Sequence, residues 1–137
     1  MSCYMNFHLL PKKDAGRKDN EKYLFLFNIS RNHPVYTAIM DNIPIPYGVE
    51  NYFKINKSMI DQVVEDVNEE LQHTKNRLAE YEKHCTTIDC VEEILSTKEY
   101  LEELQDTLGF ILTLQEILLN IESFSWVDFE GMYITIG

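Results

Sequence analysis

The chain has 137 residues, 45% hydrophobic and 26% charged, with a formal net charge of −11. That length supports one hydrophobic core over residues 1–137, and that composition excludes a disordered polar chain. No apolar run approaches the roughly 18 residues of a membrane-spanning helix, and Met1 to His8 lack the basic-then-apolar pattern of a secretory leader, so a cytoplasmic protein that does not engage a membrane is expected.

Residues 3–9 alternate, with Cys3, Met5, Phe7 and Leu9 on one side and Tyr4, Asn6 and His8 on the other. Period two predicts a half-buried strand. The polar stretch from Pro11 to Glu21, with Gly16 and Asn20, predicts an exposed loop. Lys22 to Ile29 is aromatic and almost wholly apolar, which predicts a central strand paired antiparallel with the first. Ser30 to Pro34 predicts a helix start, with Asn32 or His33 at the cap and Pro34 in the first helical position. Val35 to Asn42 would form two turns, ended by Pro44 and Pro46. Residues 43–57 read as an irregular segment, apolar enough to be packed against something.

The strongest periodicity follows. Ile60, Val64, Val67, Leu71, Thr74, Leu78, Tyr81 and Cys85 are spaced alternately four and three apart, a heptad seam on one helix over 58–84. Ser58 with Asp61 resembles a capping box. Residues 84–90 break the pattern and predict the turn. Asp89 and Ser96 both suit caps, so a short helix is expected before a second long one over 96–122. Its seam is Leu101, Leu104, Leu108, Ile111, Gln115 and Leu118, and the short link makes the two helices antiparallel. Between Phe110 and Ile121 nearly every face is apolar, which demands contact with the sheet or with a second protomer. Phe124 to Ile136 predicts a strand, with Gly131 at a bulge or turn. The fold class is therefore α+β: a small antiparallel sheet from residues 3–9, 22–29 and 124–136, a short helix, and a long antiparallel helical hairpin (58–84 and 96–122).

Charge divides the chain. Residues 1–57 hold eight Lys/Arg against five Asp/Glu (+3), and residues 58–137 hold four against eighteen (−14). A mildly basic sheet-forming part (1–57) thus precedes an acidic hairpin (58–122) and a C-terminal strand (123–137). The acidic half opposes direct nucleic-acid binding and attracts a basic protein surface. Glu65, Glu69, Glu70, Glu99 and Glu103 are the candidate partner-binding residues. The heptads predict a homo-oligomer, most simply a dimer with a four-helix arrangement. Sparse alanine with abundant Ile, Asn, Lys, Glu and Tyr is typical of AT-rich coding sequence, as in a low-GC bacterium or its phages.

Catalytic patterns are weaker. Cys3, Cys85 and Cys90 are odd in number and lack zinc-ligand spacing, which predicts ordinary thiols in a reducing compartment. Glu70-Leu71-Gln72-His73 has the Glu-x-x-His form of di-iron bundles without the second copy such sites need. Glu99, Glu102, Glu103 and Asp106, facing Glu65, Glu69 and Glu70, resemble in spacing the paired acids of all-helical nucleoside-triphosphate pyrophosphohydrolases, which would imply Mg²⁺. A solvated Glu-rich face produces the same spacing. With no nucleophile elbow and no Gly-rich phosphate loop, no catalytic residue, metal site or cofactor is assigned. Lys12, Lys13, Arg17 and Lys18, interrupted by Asp14 and Asp19, make a weak anion patch.

Arg31, His33, Tyr36, Tyr47 and Lys54 form a candidate ligand-binding set, the first three beside a helix start whose N–H groups favour anions. Two functional classes follow. One is a non-enzymatic binding or inhibitory protein, a phage or mobile-element accessory factor acting on a basic host-protein surface. The other is a binder of a small anionic ligand or nucleotide, with metal-dependent phosphohydrolysis.

Overall fold

The computed structural model describes residues 3–16 and 22–137. Arg17, Lys18 and Asp19 of the basic patch lie outside the described residues. The elements are β1 (Tyr4–Pro11), a 3-10 turn (Lys12–Asp14), β2 (Leu24–Ser30), α1 (Pro34–Asn42), β3 (Gly48–Ile55), α2 (Lys57–His84), α3 (Ile88–Ser123) and β4 (Phe129–Ile136). The architecture is α+β, with an antiparallel four-stranded sheet in the order β2-β1-β4-β3 and α2 and α3 packed as a hairpin.

The period-two pattern of β1 sets the sheet's two faces. Met5 and Phe7 are fully buried on the helix side, opposite Ile136 and Ile134 of β4. Phe53 and Ile55 of β3 continue that face across Ile134 and Met132. Against it pack Val35 and Ile39 of α1, Ile60 and Val63 of α2, and Ile111, Leu114 and Leu118 of α3. The core thus takes up Ile111, Leu114 and Leu118 of the apolar stretch of α3, while Leu112 and Leu119 stay exposed. Burying a side chain of this size contributes roughly 1.5–3 kcal/mol, so this one cluster dominates the stability.

Two strand expectations are corrected. β2 is an edge strand rather than a central one, because β4 returns from the chain's end to take the second side of β1. Residues 43–57 are not irregular throughout, since Gly48–Ile55 forms β3 on β4. Glu50 and Asn51 and a register shift between Gly48 and Phe53 hide its alternation.

The helices begin where side chains supply caps. His33 caps α1, its Nδ1 accepting from the Val35 N–H at 3.2 Å, with Pro34 in the first helical position. Asn56, and not Ser58, caps α2 by accepting from the Met59 N–H at 2.9 Å. Thr87 caps α3, which runs unbroken from Ile88, so the separate short helix is absent among the described residues. Thr97, beside the expected cap at Ser96, is buried in the interior of α3. Cys85 and Cys90 are joined as a disulfide across the hairpin turn, contrary to the expected free thiols. The turn between the helices brings their Cα atoms to 5.5 Å. Among the described residues no helix is long and apolar enough to cross a membrane.

Candidate functional site: an acidic groove beside helix α1

Helix α1 lies across the hairpin and leaves a cleft of about 530 Å³ between them. α1 and the residues leading into it contribute Asn32, Pro34 and Asp41, α2 contributes Asp66, Val67 and Glu70, and α3 contributes Tyr100, Glu103 and Leu104. A second cleft of about 520 Å³ shares Pro34, Glu103 and Thr107 with it and adds His33, Glu99, Glu102, Asp106 and Phe110. The two make one groove with an apolar floor and seven carboxylates. His33 supplies the one basic side chain among its lining residues.

Helix geometry groups the carboxylates: Glu99 with Glu103 and Glu102 with Asp106 on α3, and Asp66 with Glu70 on α2, are each four residues apart and share a side. Two of them are held in place. Asn42 Nδ2 donates to Asp66 Oδ2 at 3.1 Å, and the Tyr100 hydroxyl donates to Glu70 Oε1 at 3.1 Å. Burial, and then that bond to Glu70, push the Tyr100 phenol's pKa up. Lower in the hairpin, Asp61 accepts from Lys57 Nζ and from Gln115 Nε2, and these bonds lower its pKa. Among the described residues no three His, Cys, Asp or Glu side chains converge as metal ligands.

Of the partner-binding candidates, Glu70, Glu99 and Glu103 line the groove, whereas Glu65 and Glu69 are exposed on α2 outside it. Asp41 entered the site unforeseen. Nothing in its local pattern marks it, because only the docking of α1 brings it to the hairpin.

The five ligand-binding candidates do not form one cluster, although the Tyr36 and Tyr47 phenols are neighbours. Arg31 is exposed, and its main-chain N–H donates to Cys3 O at 2.9 Å. His33 caps α1, and its ring lies 6.0 Å from Phe110 in the acidic groove. Tyr36 is buried with its hydroxyl 3.3 Å from Cys3 Sγ, and burial pushes its pKa up, with Tyr47 as a neighbouring phenol. Tyr47 is 64% exposed before the start of β3. Lys54, near the other end of β3, is paired with Glu130 of β4. An anion entering beside His33 would meet Glu99, Glu102, Glu103 and Asp106, which opposes it.

Compared with protein-family models, with curated proteins and with solved structures, the chain matches none.

Proposed function

We propose that the protein is a non-enzymatic binding or inhibitory protein whose acidic groove engages a basic surface of another protein. One observation carries the reading: seven carboxylates surround an apolar floor, with His33 the one basic side chain type among the lining residues. Low-dielectric walls focus such a field, which speeds encounter with a Lys/Arg-bearing surface and selects against phosphate. A surface of that kind is what nucleic-acid-binding proteins present to phosphate, so occupying it would displace nucleic acid. The AT-rich residue usage fits a phage or mobile-element accessory factor working in the cytoplasm.

The test uses fluorescence anisotropy with a labelled Lys/Arg-rich helical peptide, titrated with the full chain at rising salt. Binding should weaken steadily as salt screens it. The combined variant Glu70→Lys, Glu99→Lys, Glu103→Lys should lower affinity by about tenfold or more, since each reversal exchanges attraction for repulsion. Equal binding by the variant, or no binding at low salt, would remove the reading.

A further inference from the structure

The hairpin of α2 and α3 extends beyond the core. On α2 the last buried side chain is Thr74, and on α3 the first is Thr97. Residues 75–84 and 88–96 therefore hold no buried side chain. Leu78, Tyr81 and Ile94 are half-buried, while Ile88, Val91 and Leu95 are 80%, 47% and 56% exposed. A cleft of about 330 Å³, lined by Arg77, Tyr81, Glu93 and Ser96 among others, parts the two helices there. A stretch with so little apolar burial opens locally at small cost in free energy, and its helix ends fray first.

One covalent bond sits at the far end of this arm. Cys85, the residue after α2, is joined to Cys90 in the first turn of α3. The bond spans the α3 cap, where Thr87 Oγ1 accepts from the Cys90 N–H at 3.3 Å. Neither cysteine is buried, so a thiol in solution can reach the pair. We propose that the Cys85–Cys90 disulfide is a reversible clasp on the outer hairpin. Its thiol–disulfide exchange opens and closes residues 75–96 while the core and the acidic groove stay folded. The clasp ties the end of α2 to the start of α3, which reduces the frayed conformations open to both. Glu70, Glu99 and Glu103 of the groove lie on the core side of Thr74 and Thr97, so the clasp does not depend on the proposed partner binding.

The reductant is a dithiol. Its thiolate attacks one sulfur of the pair, the S–S bond breaks, and the other sulfur leaves with the electron pair as a thiolate. The second thiol of the reductant then displaces the remaining protein sulfur. The chain gains two electrons and two protons, and the dithiol becomes a disulfide. Oxidised glutathione takes the two electrons back and departs as two thiols.

Amide hydrogen exchange of the full chain, read by mass spectrometry, tests this before and after treatment with dithiothreitol. Intact mass confirms each state, because reduction adds two hydrogens. Amides in 78–94 should exchange about tenfold or more faster in the reduced chain, with 60–70 and 104–118 unchanged. Oxidised glutathione should restore the slow exchange. The double variant Cys85→Ser, Cys90→Ser should show the fast pattern with or without dithiothreitol, and Cys3→Ser should respond as the wild type does. The wild-type comparison holds whether or not the variants fold. Equal exchange in the two redox states overturns the proposal. So does a loss of protection that spreads to 60–70 and 104–118, a reduced chain that oxidised glutathione leaves reduced, or a double variant that still responds to dithiothreitol.

Discussion

His8 illustrates what a single residue gains from its surroundings. Alternation along β1 puts it on the face away from the helices, yet it is only 8% exposed. Tyr52 stands edge-on to its ring at 5.0 Å, Tyr23 stacks on Tyr52 at 3.8 Å, and Tyr133 meets Tyr23 at 5.0 Å. These aromatics reach across from both sheet edges and form a small second layer. The Nε2 atom lies 3.0 Å from Thr135 Oγ1, and the ring packs against this uncharged hydroxyl, Phe25 and Tyr52. Burial therefore lowers the pKa of His8. The unfolded chain then takes up a proton at a higher pH than the folded one does. Stability is full above the ordinary histidine pKa of about 6.5 and falls as pH drops toward the lowered folded value. Denaturant midpoints measured from about pH 7.5 down to 5 should fall in the wild type and fall less steeply in His8→Gln. Parallel slopes for the two proteins would remove His8 from the pH dependence.

At the scale of elements, α3 shows both the reach and the limit of periodicity. Its seam is legible: Leu104, Ile111 and Leu118 are buried where heptad spacing puts them, and Leu101, Leu108 and Gln115 are half-buried. The break near Ser96 is not real, because a residue type that suits a cap also sits comfortably within a helix when its hydroxyl finds a carbonyl one turn back. Thr107 does this, donating to Glu103 O at 2.8 Å. Gly109 is the weak point of the helix. A Cβ built there would meet nothing within 4 Å, and its φ is ordinary. Gly109→Ala should therefore stabilise the protein by about 0.5–1 kcal/mol, through the smaller backbone entropy lost on folding. Chemical denaturation reads this directly, and a destabilised variant would overturn the assignment of Gly109 to an open, unstrained helix position. The strands were harder to read. β1 and the antiparallel β1–β2 pair follow from alternation and apolar runs. β3 does not, because Glu50 and Asn51 occupy the middle of a strand that is only half covered.

For the whole molecule, charge separation is the governing feature. The groove sets Asp41, Asp66 and Glu70 near Glu99, Glu102, Glu103 and Asp106, with His33 as the basic lining residue. The folded state brings these carboxylates closer than the unfolded chain does, so self-repulsion works against folding and salt relieves it. Melting followed by scanning fluorimetry should rise by roughly 2–5 °C between low and moderate salt. A flat or falling melting temperature would mean that the groove's carboxylates are too far apart, or too well solvated, to matter.

The sequence by itself determined the helices, the hairpin and the acid–base division of the chain. All three depend on spacing between near neighbours and on composition, which do not need the fold to be known. The His33 cap with Pro34 behind it is of the same local kind. Only the tertiary structure decided which strand became the edge, where the aromatics of the second layer met, and that Asp41 joined the groove. It likewise decided that Arg31, Tyr36 and Lys54 stayed apart. Those outcomes turn on which distant segment packs beside which. A run such as Leu24 to Ile29 declares that it must be buried, but says nothing of what will cover its far side.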